Sequence, residues 1–119
     1  PALIETLTRY FPAREVDPPY ERIREEPFEV APVERVLRLA EKENATYILA
    51  QGIAVSEEHP DVPALLVANQ IFGGGFLDSR LSRRVRHREG LSYSINSGLA
   101  LRPLDPAAVF SVSAITAPR

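Results

Sequence analysis

The sequence predicts a single α+β domain with two layers, in which helices pack on one face of a mostly antiparallel sheet. Two helical patterns lie among strand patterns that follow one another closely enough to pair as antiparallel neighbours. The chain has 119 residues, and a domain of this size buries about two thirds of the surface that its unfolded form exposes. Hydrophobic residues make up 45% of the chain and charged residues 25%, as is typical of a soluble globular domain.

The composition also excludes several kinds of site and partner. Cysteine is absent, which excludes disulfides, thiolate catalysis and cysteine-based metal sites. No apolar run approaches the roughly 18 residues that a membrane span needs, so we expect no membrane partner, and no segment indicates a cellular compartment. The net charge of −2 gives no general affinity for nucleic acid. Methionine is absent as well, so we expect the chain to be a piece of a longer protein.

The first 32 residues predict the end of a helix followed by a connector. Leu3, Leu7 and Phe11 recur at the spacing of one helix face, which indicates an amphipathic helix. Residues 12–32 contain five of the eleven prolines, and each proline fixes its own φ and favours an extended residue before it. We therefore expect a surface connector here and an α+β domain over residues 33–119.

Two strands are predicted at the start of that domain. The segments "VERVLRLA" (33–40) and "ATYILAQGIAV" (45–55) are rich in β-branched and aromatic residues and are separated by the polar "EKEN", which favours a hairpin. The second segment is apolar at both odd and even positions. That pattern is typical of a strand covered on both faces, so we expect it to lie centrally in the sheet.

Two helices should follow. A helix is predicted over about 62–72, with Asp61 as N-cap, Pro63 in its first turn and glycine directly after it. Asp78 can cap a second helix that Gly90 ends.

Two further strands complete the predicted sheet. Apolar and small polar residues alternate over 91–96 and again over 110–114, as expected of half-buried strands. The segment "RPLDPA" (102–107) supplies the turn between them.

A glycine run, Gly73, Gly74 and Gly75, precedes the second helix. Backbone N–H groups at a helix N-terminus attract anions. A P-loop, however, requires a Gly-Lys-Ser/Thr ending, and a dinucleotide fingerprint follows a strand rather than a helix. The favoured interpretation is a helix stop and a loop between helices.

Five arginines fall within the nine positions 80–88. At about 100° per residue, Arg80, Arg83 and Arg84 share one side of the helix and Arg86 projects in another direction. A basic face could bind nucleic acid, which is the lowest-ranked hypothesis. The favoured interpretation is a solvated face whose arginines pair with carboxylates.

The residues alone give no complete catalytic site. His59 and His87 are the two histidines, and neither lies in a zinc-binding helix motif. The sequence has no serine nucleophile elbow and no close pair of carboxylates in an apolar setting.

The segment "HPDVPALLVANQIFGGGFLDSRLSRRVRHREGLSYSI" (59–95) resembles the second-repeat domain of the pitrilysin and insulinase family of zinc metallopeptidases, which includes mitochondrial processing peptidase. The shared pattern is an apolar helix, a glycine run, a Ser-Arg-Leu helix start, an arginine, and Gly-Leu-small-Tyr entering a strand. The matching residues are Gly73, Gly74, Gly75, Ser79, Arg80, Leu81, Arg86, Gly90, Leu91 and Tyr93. With its flanking strands the resemblance covers about 33–119.

The resemblance implies a clamshell of four homologous α+β domains, in one chain or two subunits, that closes over a peptide substrate. Zinc is expected in another domain and no cofactor in this chain, so the 119 residues alone should be inactive. Arg86 and Tyr93, with six residues between them, are implied to reach the substrate carbonyl and stabilise charge on its oxygen. Gly73, Gly74 and Gly75 are implied to contact the peptide.

Two hypotheses for the whole protein stay open at this point. The chain is either the distal, non-zinc domain of a zinc endopeptidase or a non-catalytic scaffold or assembly subunit of the same family. Tyr93 also has an alternative role in packing, since strand alternation places it on the face of Leu91 and Ile95. We further expect a partly uncovered sheet face and therefore self-association, or association with a zinc-bearing homologous domain.

Overall fold

The computed structural model of the protein describes residues 2–12, 18–27, 29–75 and 78–117. The described part of the chain contains no helix that is both long enough and apolar enough to cross a membrane. Its elements, in chain order, are the helix α1 (Ala2–Tyr10), strand β1 (Ala45–Ile53), helix α2 (Val62–Asn69), the π-helical segments π1 (Gln70–Gly74) and π2 (Ser82–Arg88), and strands β2 (Ser92–Ala100) and β3 (Ala108–Thr116).

The three strands form one antiparallel sheet in the order β1-β3-β2. The helical segments α2, π1 and π2 all contact β2. The ring of Phe72 on π1 lies 6.0 Å from that of Phe110 on β3, so this layer covers one face of the sheet. The predicted two-layer α+β class is confirmed.

A small apolar core joins the two layers at one end of the sheet. Val55, Val62 and Ala108 are buried there, where β1 ends, α2 starts and β3 begins. Four half-buried side chains pack around them: Ile53, Leu65, Leu99 and Leu101. Burial of this cluster removes apolar surface from water and fixes the start of α2 against the sheet.

The prediction of a central position for β1 was wrong. β3 pairs with both neighbours, and β1 lies at the edge of the described sheet. Tyr47 is 55% exposed and Ile48 71% exposed, although the two point to opposite faces. An apolar pattern on both faces indicates that both faces of a strand can be buried. It does not indicate that another strand pairs with it on each side.

The predicted strand over 33–40 is not formed. Residues 33–39 have no strand hydrogen bonding and are exposed throughout, although the chain does turn at Ala40 and Glu41, the latter in the left-handed region with φ 69°. Strand propensity spans only about 1 kcal/mol and depends on cross-strand packing. Without hydrogen bonds to a neighbouring strand, the strand propensity of this segment is not enough to form a strand.

The first helix of the layer starts at Val62 as predicted but continues beyond Phe72. Its backbone passes from α-helical to π-helical geometry at Gln70 and ends at Gly74. Asp61 occupies the N-cap position without a side-chain capping bond.

The second helix begins with the α-helical residues Arg80 and Leu81 and continues as π2, and Ser79 rather than the predicted Asp78 caps it. The hydroxyl of Ser79 accepts the N–H of Ser82 at 3.2 Å. Gly90 ends the helix as predicted: its φ is +60°, and the following N–H, of Leu91, donates to the carbonyl of Val85 at 2.9 Å. This αL ending at glycine satisfies a carbonyl of the last turn.

An ion-pair cluster attaches the connector to the loop between β2 and β3. The Arg22 guanidinium donates to both carboxylate oxygens of Asp105, at 2.6 and 2.5 Å, and the Glu25 N–H donates to the same carboxylate at 3.2 Å. A second pair joins Arg102 to Glu25 at 3.0 Å. The hydrogen bonds from Arg22 lower the pKa of the Asp105 carboxyl from 3.8 to about 2.

The attachment matters because no described residue before Ala45 is buried. The radius of gyration is 22.0 Å, whereas a compact chain of this length has about 13–14 Å. The N-terminal part therefore extends from the sheet and is held to it by polar contacts.

A pH titration tests this attachment. Because Arg22 stabilises the charged form of Asp105, the stabilisation is present above the ordinary aspartate pKa and is lost as pH falls from about 4 toward 2. We expect the side-chain carboxyl carbon of Asp105 to titrate by NMR with a midpoint near 2, and the Glu25 amide signal to move with it. Arg22→Gln should return the midpoint toward 3.8, and the control Arg102→Gln should leave it low. A wild-type midpoint near 4 would contradict the ion pair.

The uncovered edge strand predicts self-association. β1 carries no charged residue, and an exposed, uncharged edge strand is a template for pairing with another chain. Sedimentation velocity should show an average mass that rises with concentration. Ile48→Lys should reduce the effect, whereas Ala54→Lys, which adds the same charge just after β1, should not. A strictly monomeric chain at high concentration would contradict the prediction.

Candidate functional site

The structure brings the two predicted catalytic residues together. Arg86 lies on π2, which packs against β2, and Gly90 turns the chain back so that Tyr93 enters β2 beneath the helix. The guanidinium carbon of Arg86 is 4.4 Å from the centre of the Tyr93 ring. A cation over an aromatic face at this distance is attracted by the ring, so each side chain helps to orient the other.

Tyr93 occupies a β-bulge. Ser92 pairs with Thr116 and Ser94 pairs with Ile115, which leaves Tyr93 as an extra residue between them. A bulge bends the strand and redirects the inserted side chain. Tyr93 is 75% exposed, so it does not have the core position that strand alternation suggested.

Two hydroxyl groups hold the bulge in place. Ser92 is buried, and its hydroxyl lies 2.9 Å from the carbonyl of Ser94 and 2.6 Å from that of Ile115. The hydroxyl of Thr116 donates to the carbonyl of Leu91 at 2.5 Å. These hydrogen bonds satisfy backbone carbonyls near the bulge and fix the direction in which the Tyr93 side chain leaves the strand.

One glycine of the run, Gly73, is required for close packing. Gly73 is buried, and a Cβ there would overlap the hydroxyl of Ser97 and come within 2.7 Å of Leu81 Cδ1. The Ser97 hydroxyl also donates to Asn69 Oδ1 at 2.7 Å. Glycine at position 73 therefore lets the helix end contact β2 closely.

The neighbouring glycines are more accessible. Gly74 is exposed and Gly75 half-buried, and residues 76 and 77 lie outside the described part of the chain. A peptide-binding role for Gly73, Gly74 and Gly75 stays a prediction.

Two of the three arginines on the arginine face pair with carboxylates, as the sequence indicated. Arg83 binds Asp78 at 2.5 and 2.7 Å, and Arg84 lies 3.1 Å from Glu89. The hydrogen bond from Arg83 lowers the pKa of the Asp78 carboxyl. These pairs compete with any phosphate group for the same guanidinium donors.

A zinc ion does not fit the described residues of this chain. They contain no group of three or more histidine, aspartate or glutamate side chains that could hold a metal. Nδ1 of His59 accepts the N–H of Asp61 at 3.2 Å, which accounts for His59 as part of the turn before α2.

A model of the family described as the peptidase M16 inactive domain matches residues 2–119. The chain belongs to this family. The crystal structure of a peptidase M16 inactive domain from Pseudomonas fluorescens matches this M16 domain with a TM-score of 0.57 and 32% identity over 64% of the chain. The match spans only 18% of that chain's length, and no curated protein matches. The resemblance to the non-zinc domain of the family is confirmed.

The close approach at Gly73 makes a stability prediction for this M16 domain. Gly73→Ala should lower the free energy of unfolding by about 1–3 kcal/mol, the range for overpacking a tight contact, despite the gain of about 1 kcal/mol that alanine brings to a helix interior. Urea denaturation measures the change. The control is Gly98→Ala in β2, whose added Cβ would meet its nearest atom at an ordinary 3.5 Å. Equal or greater stability of Gly73→Ala would contradict the packing role.

Proposed function

We propose that this M16 inactive domain uses Arg86 and Tyr93 to bind the carbonyl oxygen of a peptide held between it and a zinc-bearing homologous domain. The observation that carries the proposal is the Arg86 guanidinium 4.4 Å over the ring of an exposed tyrosine.

The hydrogen-bonding state of the pair supports the proposal. Within the described ranges, neither the Arg86 guanidinium nor the Tyr93 hydroxyl has a hydrogen-bond acceptor, whereas Arg83 and Arg84 are each paired with a carboxylate. Guanidinium and phenol groups both donate hydrogen bonds. The pair therefore offers unused donors at one place on the surface.

The proposed role of Arg86 and Tyr93 is to stabilise the negative charge that develops on the carbonyl oxygen. When a peptide carbonyl is attacked, charge grows on its oxygen, and donors that are already oriented stabilise it without reorganising. The zinc-bearing domain would supply the activated water for such an attack. In this chain the ring contact orients Arg86, and the bulge directs Tyr93 out of the sheet.

The glycine run adds a second part to the proposal. Gly74, the last residue of π1, and Gly75 follow the buried Gly73 at the end of the helix, and glycine permits close approach of a peptide to the backbone. We therefore assign peptide contact to the exposed side of the glycine run Gly73, Gly74 and Gly75.

The decisive experiment is the Tyr93→Phe variant of the complete protein that carries this chain with its zinc-bearing domain. Because the lost hydroxyl acts mainly as charge develops, kcat should fall by about two to three orders of magnitude, with a much smaller change in KM. Arg86→Ala should act similarly. Zinc content and thermal stability, measured in parallel, should stay near wild type. Arg83→Ala is the control, since that arginine lies on the same helix but is paired with Asp78.

Full kcat in Tyr93→Phe would exclude the donor role. Tyr93 would then be a packing residue. The alternative, a non-catalytic scaffold or assembly subunit of the same family, predicts instead that the wild-type complete protein cleaves no peptide.

A further inference from the structure

A cleft beside Tyr93 is not accounted for by the donor role. It has a volume of about 380 Å³ and lies at the end of the sheet where β1 and β2 begin and β3 ends. Its lining residues are Asn44, Gly90, Leu91, Ser92, Tyr93, Ser94, Ile115, Thr116 and Ala117.

The lining of the cleft offers no ion-pair partner to a charged side chain. None of the nine residues carries a charge, and a charged group that loses water without gaining a partner is destabilised. The hydroxyls of Ser92 and Thr116 already donate to backbone carbonyls, so those two donors are not available to a ligand.

Apolar atoms contribute more than half of the accessible surface of the cleft. Leu91, Tyr93 and Ile115 are 44%, 75% and 50% exposed, and all three line it. Burial of these side chains against an apolar ligand would remove their surface from water, which is favourable. The volume lies near the lower end of the roughly 300–1,000 Å³ range of ligand sites, which suits one or two peptide residues rather than a large cofactor.

We propose that this cleft binds an apolar side chain of the peptide substrate, adjacent to the carbonyl that Arg86 and Tyr93 contact. Tyr93 belongs to both sites: its ring lies under the guanidinium and also lines the cleft. A peptide whose carbonyl faces the donors therefore places a neighbouring side chain at the cleft. The inference rests on the proposed function and adds a preference for uncharged, apolar residues.

Binding of matched peptides tests the preference. Fluorescein-labelled peptides with blocked ends, differing only by Leu, Lys or Asp at one position, are titrated with the complete protein, and fluorescence anisotropy is measured with chelator present to prevent cleavage. The position is varied along the peptide. At one position, Leu should bind about tenfold more tightly than Lys or Asp, the scale for burying one apolar side chain.

Substitutions that add a charge to the cleft test whether the cleft is the origin of this preference for an apolar side chain. Ile115→Asp should weaken binding of the Leu peptide about tenfold and strengthen binding of the Lys peptide, and Ile115→Lys should instead favour the Asp peptide. Val109→Asp is the control: Val109 lies on the same strand and face and is 39% exposed, but it is not part of the cleft. Circular dichroism checks that each variant is folded.

The proposal is overturned if Ile115→Asp leaves affinity for the Leu peptide unchanged, if Val109→Asp lowers it equally, or if no peptide binds. Because binding is measured without turnover, this test is separate from the donor test. Full kcat in Tyr93→Phe together with an intact side-chain preference would refute the donor role of Tyr93 and support peptide binding in the cleft.

Discussion

The contact between Gly73 and Ser97 sets the distance between the helical layer and the sheet. A side chain at position 73 would occupy the space of the Ser97 hydroxyl, so the layer would have to move away from β2. The same hydroxyl binds Asn69 at the end of α2. The path of the chain from this point through π2 to Gly90 places Arg86 above Tyr93, and a shift of π1 would change that placement.

The candidate site combines a rigid and an irregular part of the same strand. The pairing of β2 with β3 is regular from Ser94 onward and is interrupted only at the bulge, in the part of the sheet that the structure describes. Without the extra residue, Tyr93 would follow strand alternation and would not leave the sheet in its present direction. Bulges are common next to functional sites because they redirect one side chain while the strand around them keeps its register.

Much of the fold follows from the sequence, because the periodicity of apolar residues predicts helices and strands, and the capping and glycine residues predict where they start and end. The apolar pattern after Asp61, the glycine after that pattern, and the alternation over 110–114 predicted elements that the structure contains. Gly90 was predicted as a helix stop because few other residues adopt positive φ without strain. Arg86 and Tyr93 were found through resemblance, since no spacing rule joins a helical arginine to a tyrosine in the next strand.

The remaining features depend on contacts between distant parts of the chain. The partners Arg22 and Asp105 are 83 positions apart, and nothing in either local sequence indicates the other. The bulge has no sequence signal either, because the alternation around Tyr93 is regular. The edge position of β1 depends on whether a neighbouring segment pairs with it, and strand propensity alone does not decide that.

The attachment of the connector has a consequence for its dependence on salt. Arg22 and Glu25 meet the loop between β2 and β3 through two ion pairs, and no described residue before Ala45 is buried. Because the Arg102–Glu25 pair is more than half exposed, dissolved salt screens it. The strength with which the connector is held to the sheet thereby depends on the ionic surroundings as well as on the sequence.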